Sequence, residues 1–215
     1  IASATANTAT GCVSFTGNIL GYDATRGDFT STRPLLQANG VITSFNIGSL
    51  GSPGLCRGIN FDCNSRSGSR AFIGSSQVIV MDCNATSCLG GAFFNTSGIC
   101  IRCKATACST TIAFSLGAAY DCVAHDNTIG GFSLATNASI HRCIADSNSG
   151  ATTDGFVAGF GGNELVNCIS YNNGRDGFRV VSSTACINCI ADDNTGTGFN
   201  VNPVASNAAL FINCA

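Results

Sequence analysis

Eight cysteines recur down this 215-residue chain at nearly constant spacing: Cys63, Cys83, Cys103, Cys122, Cys143, Cys168, Cys189 and Cys214. The intervals are 20, 20, 19, 21, 25, 21 and 25 residues. A period of this length is too short for a domain and too long for a coiled-coil heptad. It marks a solenoid in which each repeat is one coil.

Four of the phrases can be laid in register. They are Cys122-Val-Ala-His-Asp-Asn127, Cys143-Ile-Ala-Asp-Ser-Asn148, Cys168-Ile-Ser-Tyr-Asn-Asn173 and Cys189-Ile-Ala-Asp-Asp-Asn194. A Gly-Phe pair follows each, at 131–132, 155–156, 177–178 and 198–199. Then comes a short alternating run such as Phe178-Arg179-Val180, which has strand period. A second apolar run leads into the next cysteine. Short strands broken by Asn, Gly and Asp turns, with no helical periodicity, predict an all-β coil.

The phrase apolar-Asn-Cys-Ile-Ala-x-x-Asn-x-x-x-Gly-Phe resembles the parallel β-helix repeat of the pectate-lyase-like superfamily. The resemblance runs from about Arg57 to Ala215 and is clearest after Tyr120. It implies a right-handed, single-stranded parallel β-helix of about seven coils over 57–215, with 1–56 as an irregular N-terminal cap or leading segment. The superfamily includes polysaccharide lyases and hydrolases, phage tailspikes, adhesins and structural proteins, so the resemblance does not choose a function.

In such a coil equivalent residues stack about 4.8 Å apart, and a residue that packs well on itself is favoured down the column. The eight periodic cysteines are expected in one interior column. Asn127, Asn148, Asn173 and Asn194 should form an asparagine ladder. Phe72, Phe93, Phe132, Phe156, Phe178 and Phe199 should form an aromatic column. The glycine before most of these phenylalanines suits a turn with positive φ. Two coils replace the ladder asparagine with Cys88 and Cys108, whose stacking separation falls in the range a disulfide needs. Cys12 and Cys56 are a second possible pair. The long cysteine column reads equally as packed free thiols or as alternate bridges. Cys100-Ile-Arg-Cys103 and Cys186-Ile-Asn-Cys189 have metal-motif spacing, but strand residues three apart face opposite sides, so no metal or cofactor is expected.

Only 10% of residues are charged, against about 25% in ordinary soluble domains, and the net charge is −2. There is no basic patch for nucleic acid. No apolar run reaches the roughly 20 residues of a membrane span. Hydrophobic residues make up 45%, more than a thin solenoid can hide, which predicts covered exterior faces. Abundant cysteine in a Ser/Thr/Asn/Gly-rich chain fits an extracellular or surface location. Asn84, Asn95 and Asn137 open N-x-S/T sequons that permit glycosylation. The chain starts at Ile1 and ends one residue after Cys214, so it is expected to be a processed product or fragment, or to be capped by another subunit.

Catalysis has one candidate region. The position before the ladder cysteine reads Asp62, Asp82, Arg102, Asp121, Arg142 and then asparagines. His125, Asp126 and Asp146 lie a little further along the same coils. Asp82, Asp121, Arg142, His125, Asp126 and Asp146 are therefore the residues an enzyme would use. Alternating Asp and Arg also make a neutral packing ladder. His141 falls in an otherwise apolar column, where a packed, hydrogen-bonded role is expected. The sequence thus favours a non-catalytic structural or adhesive β-helix that self-associates as a filament, sheath or appendage subunit. The alternative is a carbohydrate-binding or carbohydrate-cleaving β-helix, such as a tailspike or lyase. An ice-binding face would need a repeated Thr-x-Thr column, which is missing.

Overall fold

A computed structural model describes residues 4–6, 11–15, 19–20, 35–38, 42–47, 54–65, 70–74, 78–109, 112–159, 161–181, 183–201 and 208–215. The chain winds as a parallel β-helix. Every strand pairing joins one coil to the next in parallel, and the described residues hold no helix. One sheet is built from three-residue strands that follow the ladder cysteines, such as Asn84–Thr86, Lys104–Thr106, Val123–His125, Ile144–Asp146 and Ile169–Tyr171. From Asn60 onward this sheet has seven strands, one per coil. In the second sheet six of the described strands, from Phe93 onward, begin at a column phenylalanine, and others such as Glu164–Val166 and Ala185–Ile187 lead into the next corner. In three coils the phenylalanine strand itself runs on to the next corner, as in Phe93–Ile101, Phe114–Tyr120 and Phe132–His141.

The pairing does not begin at residue 57. That boundary falls at the end of strand Gly54–Arg57, and the strands Leu35–Ala38 and Ile42–Ile47 already pair with later coils.

Two corners per coil explain the turn chemistry. Asp82, Arg102, Asp121, Arg142, Asn167, Asn188 and Asn213 hold φ of 49–56° immediately before a ladder cysteine. Ser87, Ala107, Asp126, Ser147, Asn172 and Asp193 hold φ of 52–56° at the other end of the short strand. This left-handed region disfavours bulky and β-branched residues, and Asn and Asp enter it most readily. The first corner also corrects the reading of the Cys-x-x-Cys pairs. Chain reversal at Arg102 and Asn188 turns both cysteines of each pair inward, so Cys100 and Cys103 are both buried and in contact, as are Cys186 and Cys189.

The interior is a set of straight columns. Phe72, Phe93, Phe114, Phe132, Phe156, Phe178 and Phe199 stack in register. Consecutive ring centroids from Phe93 onward lie 4.7–5.0 Å apart. Phe114 belongs to this column although alanine, not glycine, precedes it. The column glycines are not there for positive φ. A Cβ on Gly155 would lie 2.7 Å from the Gly177 carbonyl oxygen, and one on Gly177 would lie 2.6 Å from that of Gly198. Close approach of the next coil excludes a side chain.

The asparagine ladder is buried and continuous. The Asn127 amide donates to Asn148 at 2.9 Å, Asn148 to Asn173 at 2.7 Å and Asn173 to Asn194 at 2.9 Å. Each Oδ1 also accepts a backbone N–H from the coil before it, at 2.9–3.2 Å. Each Nδ2 reaches a backbone carbonyl as well. Polar groups buried this deeply would be costly without such bonds.

The cysteine column holds from Cys83 through Cys103, Cys122, Cys143, Cys168 and Cys189, each linked through backbone bonds to the next coil. Cys214 follows at the last coil. Cys63 is not part of it. Asn84 N–H donates to the Ile59 carbonyl and Gly58 N–H to that of Met81, so Ile59 fills the Cys83 position and Gly58 the corner. Phe61 pairs with Ala85, and Cys63 packs instead against Cys88, which stands in line with Cys108 and the asparagines. The 20-residue spacing to Cys83 was a coincidence of that one loop.

All thirteen described cysteines are free thiols. Cys88 and Cys108 are neighbours, with the Cys88 N–H held by the Cys108 sulfur, but they are not bonded. Cys56 stands opposite Ile19 and Val80, while Cys12 stands opposite Ser44, so these two are not register partners. The Cys12 side chain lies outside the described residues.

Candidate functional site

The short strands of the first sheet point their middle residue inward and their first and third outward. Two exterior columns result. The first-position column reads Asn60, Asn84, Lys104, Val123, Ile144, Ile169 and Ile190. The third-position column reads Asp62, Thr86, Thr106, His125, Asp146, Tyr171 and Asp192. A depression of about 320 Å³ opens at the early end of this face, with Asn60, Asp62, Asn84 and Thr86 on its walls.

His125, Asp126 and Asp146 meet here. His125 Nδ1 lies 2.8 Å from Asp146 Oδ2, and Nε2 lies 3.0 Å from Asp126 Oδ2. Asp146 comes from the same position one coil on, and Asp126 from the corner. The second Asp146 oxygen accepts the Ser147 hydroxyl at 2.8 Å, and Asn172 Nδ2 donates to that hydroxyl at 3.2 Å. Ring and carboxylates are thus fixed from several sides. Tyr171 follows Asp146 in the column and is 40% exposed, beside Ile169 at 37%. An imidazole held between two carboxylates presents a cluster of hydrogen-bonding groups to a ligand placed against it. Exposed aromatic and aliphatic side chains next to it offer an apolar platform.

The corner residues do something else. Asp82 accepts two bonds from Arg102, at 2.7 and 3.1 Å, and one from Arg57 at 3.0 Å. The hydrogen-bonded Arg102 guanidinium holds the Asp82 carboxyl below the usual carboxylate range, and Arg57 adds to it. Asp121 accepts both bonds of a fork from Arg142, at 2.7 and 2.9 Å, which lowers its carboxyl in the same way. These are ion-pair ladders along an edge, so Asp82 is engaged with Arg57 and Arg102, and Asp121 with Arg142, rather than gathered around His125. Asp62 is not in that stripe, because the Cys63 segment is shifted.

His141 faces outward, half-buried. It stacks on Tyr120 with centroids 5.3 Å apart, and its Nε2 lies 2.8 Å from the Ser139 hydroxyl. Arg57, not Phe61, stands before Met81 in its column. Among the sequons, Asn84 donates to Asn60 Oδ1 at 3.0 Å, and Asn137 is exposed at φ 59°. Asn95 lies in strand Phe93–Ile101, and its side chain is outside the described residues.

A second charged group was not foreseen. Asp154 and Asp176 precede the column glycines Gly155 and Gly177 and are almost fully buried. Asp154 binds the Arg175 guanidinium through both oxygens and lies 4.0 Å from Arg179. Asp176 accepts the Thr197 N–H at 2.9 Å and the Asn200 amide at 2.7 Å. The repeated Asp-Gly-Phe at 154–156 and 176–178 was the available signal. Both carboxylates are fully engaged, and the group braces the corner between coils. Among the described residues no three His, Cys, Asp or Glu side chains are placed to hold a metal ion.

No protein-family model and no curated protein matches the chain. Among solved structures it is similar to the mannuronan C-5 epimerase A-module from Azotobacter vinelandii. The TM-score is 0.62 at 13% identity, covering 99% of this chain and 68% of that one. At this identity the likeness is one of fold alone: a parallel β-helix.

Proposed function

We propose that this chain is a carbohydrate-binding, carbohydrate-processing β-helix whose site is the outer face of the first sheet around His125, Asp146 and Tyr171. The observation that carries the reading is His125 held between Asp126 and Asp146 beside the exposed Tyr171 and Ile169. A polysaccharide laid along the axis would meet the walled depression at Asn60–Thr86 and then the histidine. Tyr171 and Ile169 would pack on the apolar face of a sugar ring. His125 and its carboxylates would hydrogen-bond the hydroxyls and exchange a proton with the bound ring. The similar fold of an enzyme whose substrate is mannuronan supports carbohydrate as the ligand class.

The test is binding of oligosaccharides, oligomannuronate among them, by calorimetry, followed by incubation in deuterated water. Binding that weakens about tenfold or more in Tyr171→Ala, with deuterium entering the sugar only when His125 is intact, is the expected result. Wild-type binding by both Tyr171→Ala and His125→Ala would end this reading. The structural-subunit reading drew on low charge, the cysteine columns and an apolar content larger than a thin solenoid can hide. It is supported instead if no glycan binds and sedimentation finds the chain assembling with itself.

A further inference from the structure

Three sulfurs occupy the early part of the column that later holds the asparagines: Cys63, Cys88 and Cys108. The first two sit unlike other cysteine neighbours. Cys56 and Cys83, also fully buried, lie 3.8 Å apart, an ordinary contact between unbonded sulfurs. Cys63 and Cys88 sulfurs are 2.7 Å apart, with both residues 0% exposed. Carbon atoms, which are smaller than sulfur, rest at about 3.5–4.0 Å when unbonded. The backbone register sets Cys63 opposite Ser87, one residue before Cys88, with Cys63 N–H donating to the Thr86 carbonyl at 3.1 Å, and both cysteine side chains turn into the interior. One coil of about 4.8 Å across and one residue along keep the Cα separation inside the roughly 4.4–6.8 Å that a disulfide spans.

We infer that Cys63 and Cys88 are a covalent modification site, joined as an inter-coil disulfide when the chain folds in oxidising surroundings. The two thiols lose two protons and two electrons, and the S–S bond forms. The co-reactant is a small-molecule or protein disulfide, which is reduced to two thiols by exchange. Because both sulfurs end up buried, bonding precedes closure of the coil. Three sulfurs allow one bridge, so Cys108 remains a thiol and keeps its contact to the Cys88 N–H. This assignment replaces the Cys88–Cys108 pairing that spacing alone suggests. The staple falls in the coils whose interior column lacks the asparagine ladder.

The experiment refolds the whole chain in a mixture of oxidised and reduced glutathione, alkylates it in denaturant without reductant, and maps the peptides. A Cys63–Cys88 linked peptide with Cys108 alkylated is expected, together with a melting temperature that falls on adding dithiothreitol. Cys108→Ser should keep the link and the reductant-sensitive shift, whereas Cys63→Ser should lose both. Alkylation of both Cys63 and Cys88 in the oxidatively refolded chain, or a Cys88–Cys108 link, overturns the assignment.

Discussion

Coils carrying Cys63, Cys88 and Cys108 place alanine before the column phenylalanine, at Ala71, Ala92 and Ala113. Coils carrying Asn127, Asn148, Asn173 and Asn194 place glycine there, at 131, 155, 177 and 198. The two substitutions travel together, and the geometry explains part of it. A Cβ on Gly155 would come within 3.0 Å of the Asn173 amide as well as 2.7 Å of a backbone oxygen; at Gly177 the Asn194 amide would be 2.9 Å away. The amide coils are drawn tight by hydrogen bonds and leave no room for a methyl group. The thiol coils fill the same space with sulfur and Cβ. Their sulfur also stands in for the amide oxygen, as when Cys108 takes the Cys88 N–H. The outer edge changes along the same axis: Asp and Arg alternate at the corner through Arg142, and asparagine takes over from Asn167.

The sharpest way to break this comparison is Asn148→Ala. It strands the Asn127 N–H and the Ala124 carbonyl in a buried column and takes one partner each from the Asn127 amide and the Asn173 oxygen. A loss of about 3–5 kcal/mol is expected in denaturant melts, since each orphaned group costs about 1–3 kcal/mol. Gly155→Ala should follow at about 2–3 kcal/mol, because a backbone oxygen must move. Its counterpart Ala113→Gly should cost no more than about 1 kcal/mol. Equal costs for these two would mean that the alanine–glycine split is not set by the ladder. Cys108→Ala removes one heavy atom and should cost about 0.5–1.5 kcal/mol, in the range of other single-atom deletions in a core.

The smallest effect belongs to the edge. Asp82→Asn should lower stability near neutral pH by about 0.2–1 kcal/mol, as exposed pairs do. The sign with pH follows from the Asp82 carboxyl lying below its unfolded value. Its contribution is complete above the ordinary aspartate pKa of about 3.9 and disappears as pH falls through the lower folded value. Thermal melts of wild type and variant should therefore converge on acidification. A gap that stays constant down to about pH 2 would show that the carboxylate's charge is not what stabilises the corner.

Much of this was legible in the residues, because stacking forces like onto like. The cysteine column from Cys83, the aromatic column and the asparagine ladder each repeat one residue type at one period. What failed was register in the one irregular loop. Cys63 mimicked the period, while the real corner was Gly58-Ile59, marked by a glycine that reaches positive φ of 69° without cost. Phe114 was missed although Phe72 and Phe93, which share its preceding alanine, were found. His125, Asp126 and Asp146 were found by proximity within the repeat. The pairing of His125 with both carboxylates depends on side-chain rotamers that spacing does not encode. Asp154 and Asp176 were passed over because the repeated Asp-Gly-Phe does not by itself show that the carboxylates are buried against Arg175, Thr197 and Asn200.

The asparagine ladder also has a sense. Asn127, Asn148 and Asn173 each give one amide N–H to the oxygen of the next asparagine toward the C-terminus, and all four oxygens are turned toward the N-terminal coils. The dipoles add head to tail, as peptide units do along a helix, and each bond polarises the next. No single amide can rotate by half a turn without setting oxygen against oxygen on one side and nitrogen against nitrogen on the other. The four side chains therefore hold one orientation collectively, and a coil joining the stack inherits the polarity of the coil before it.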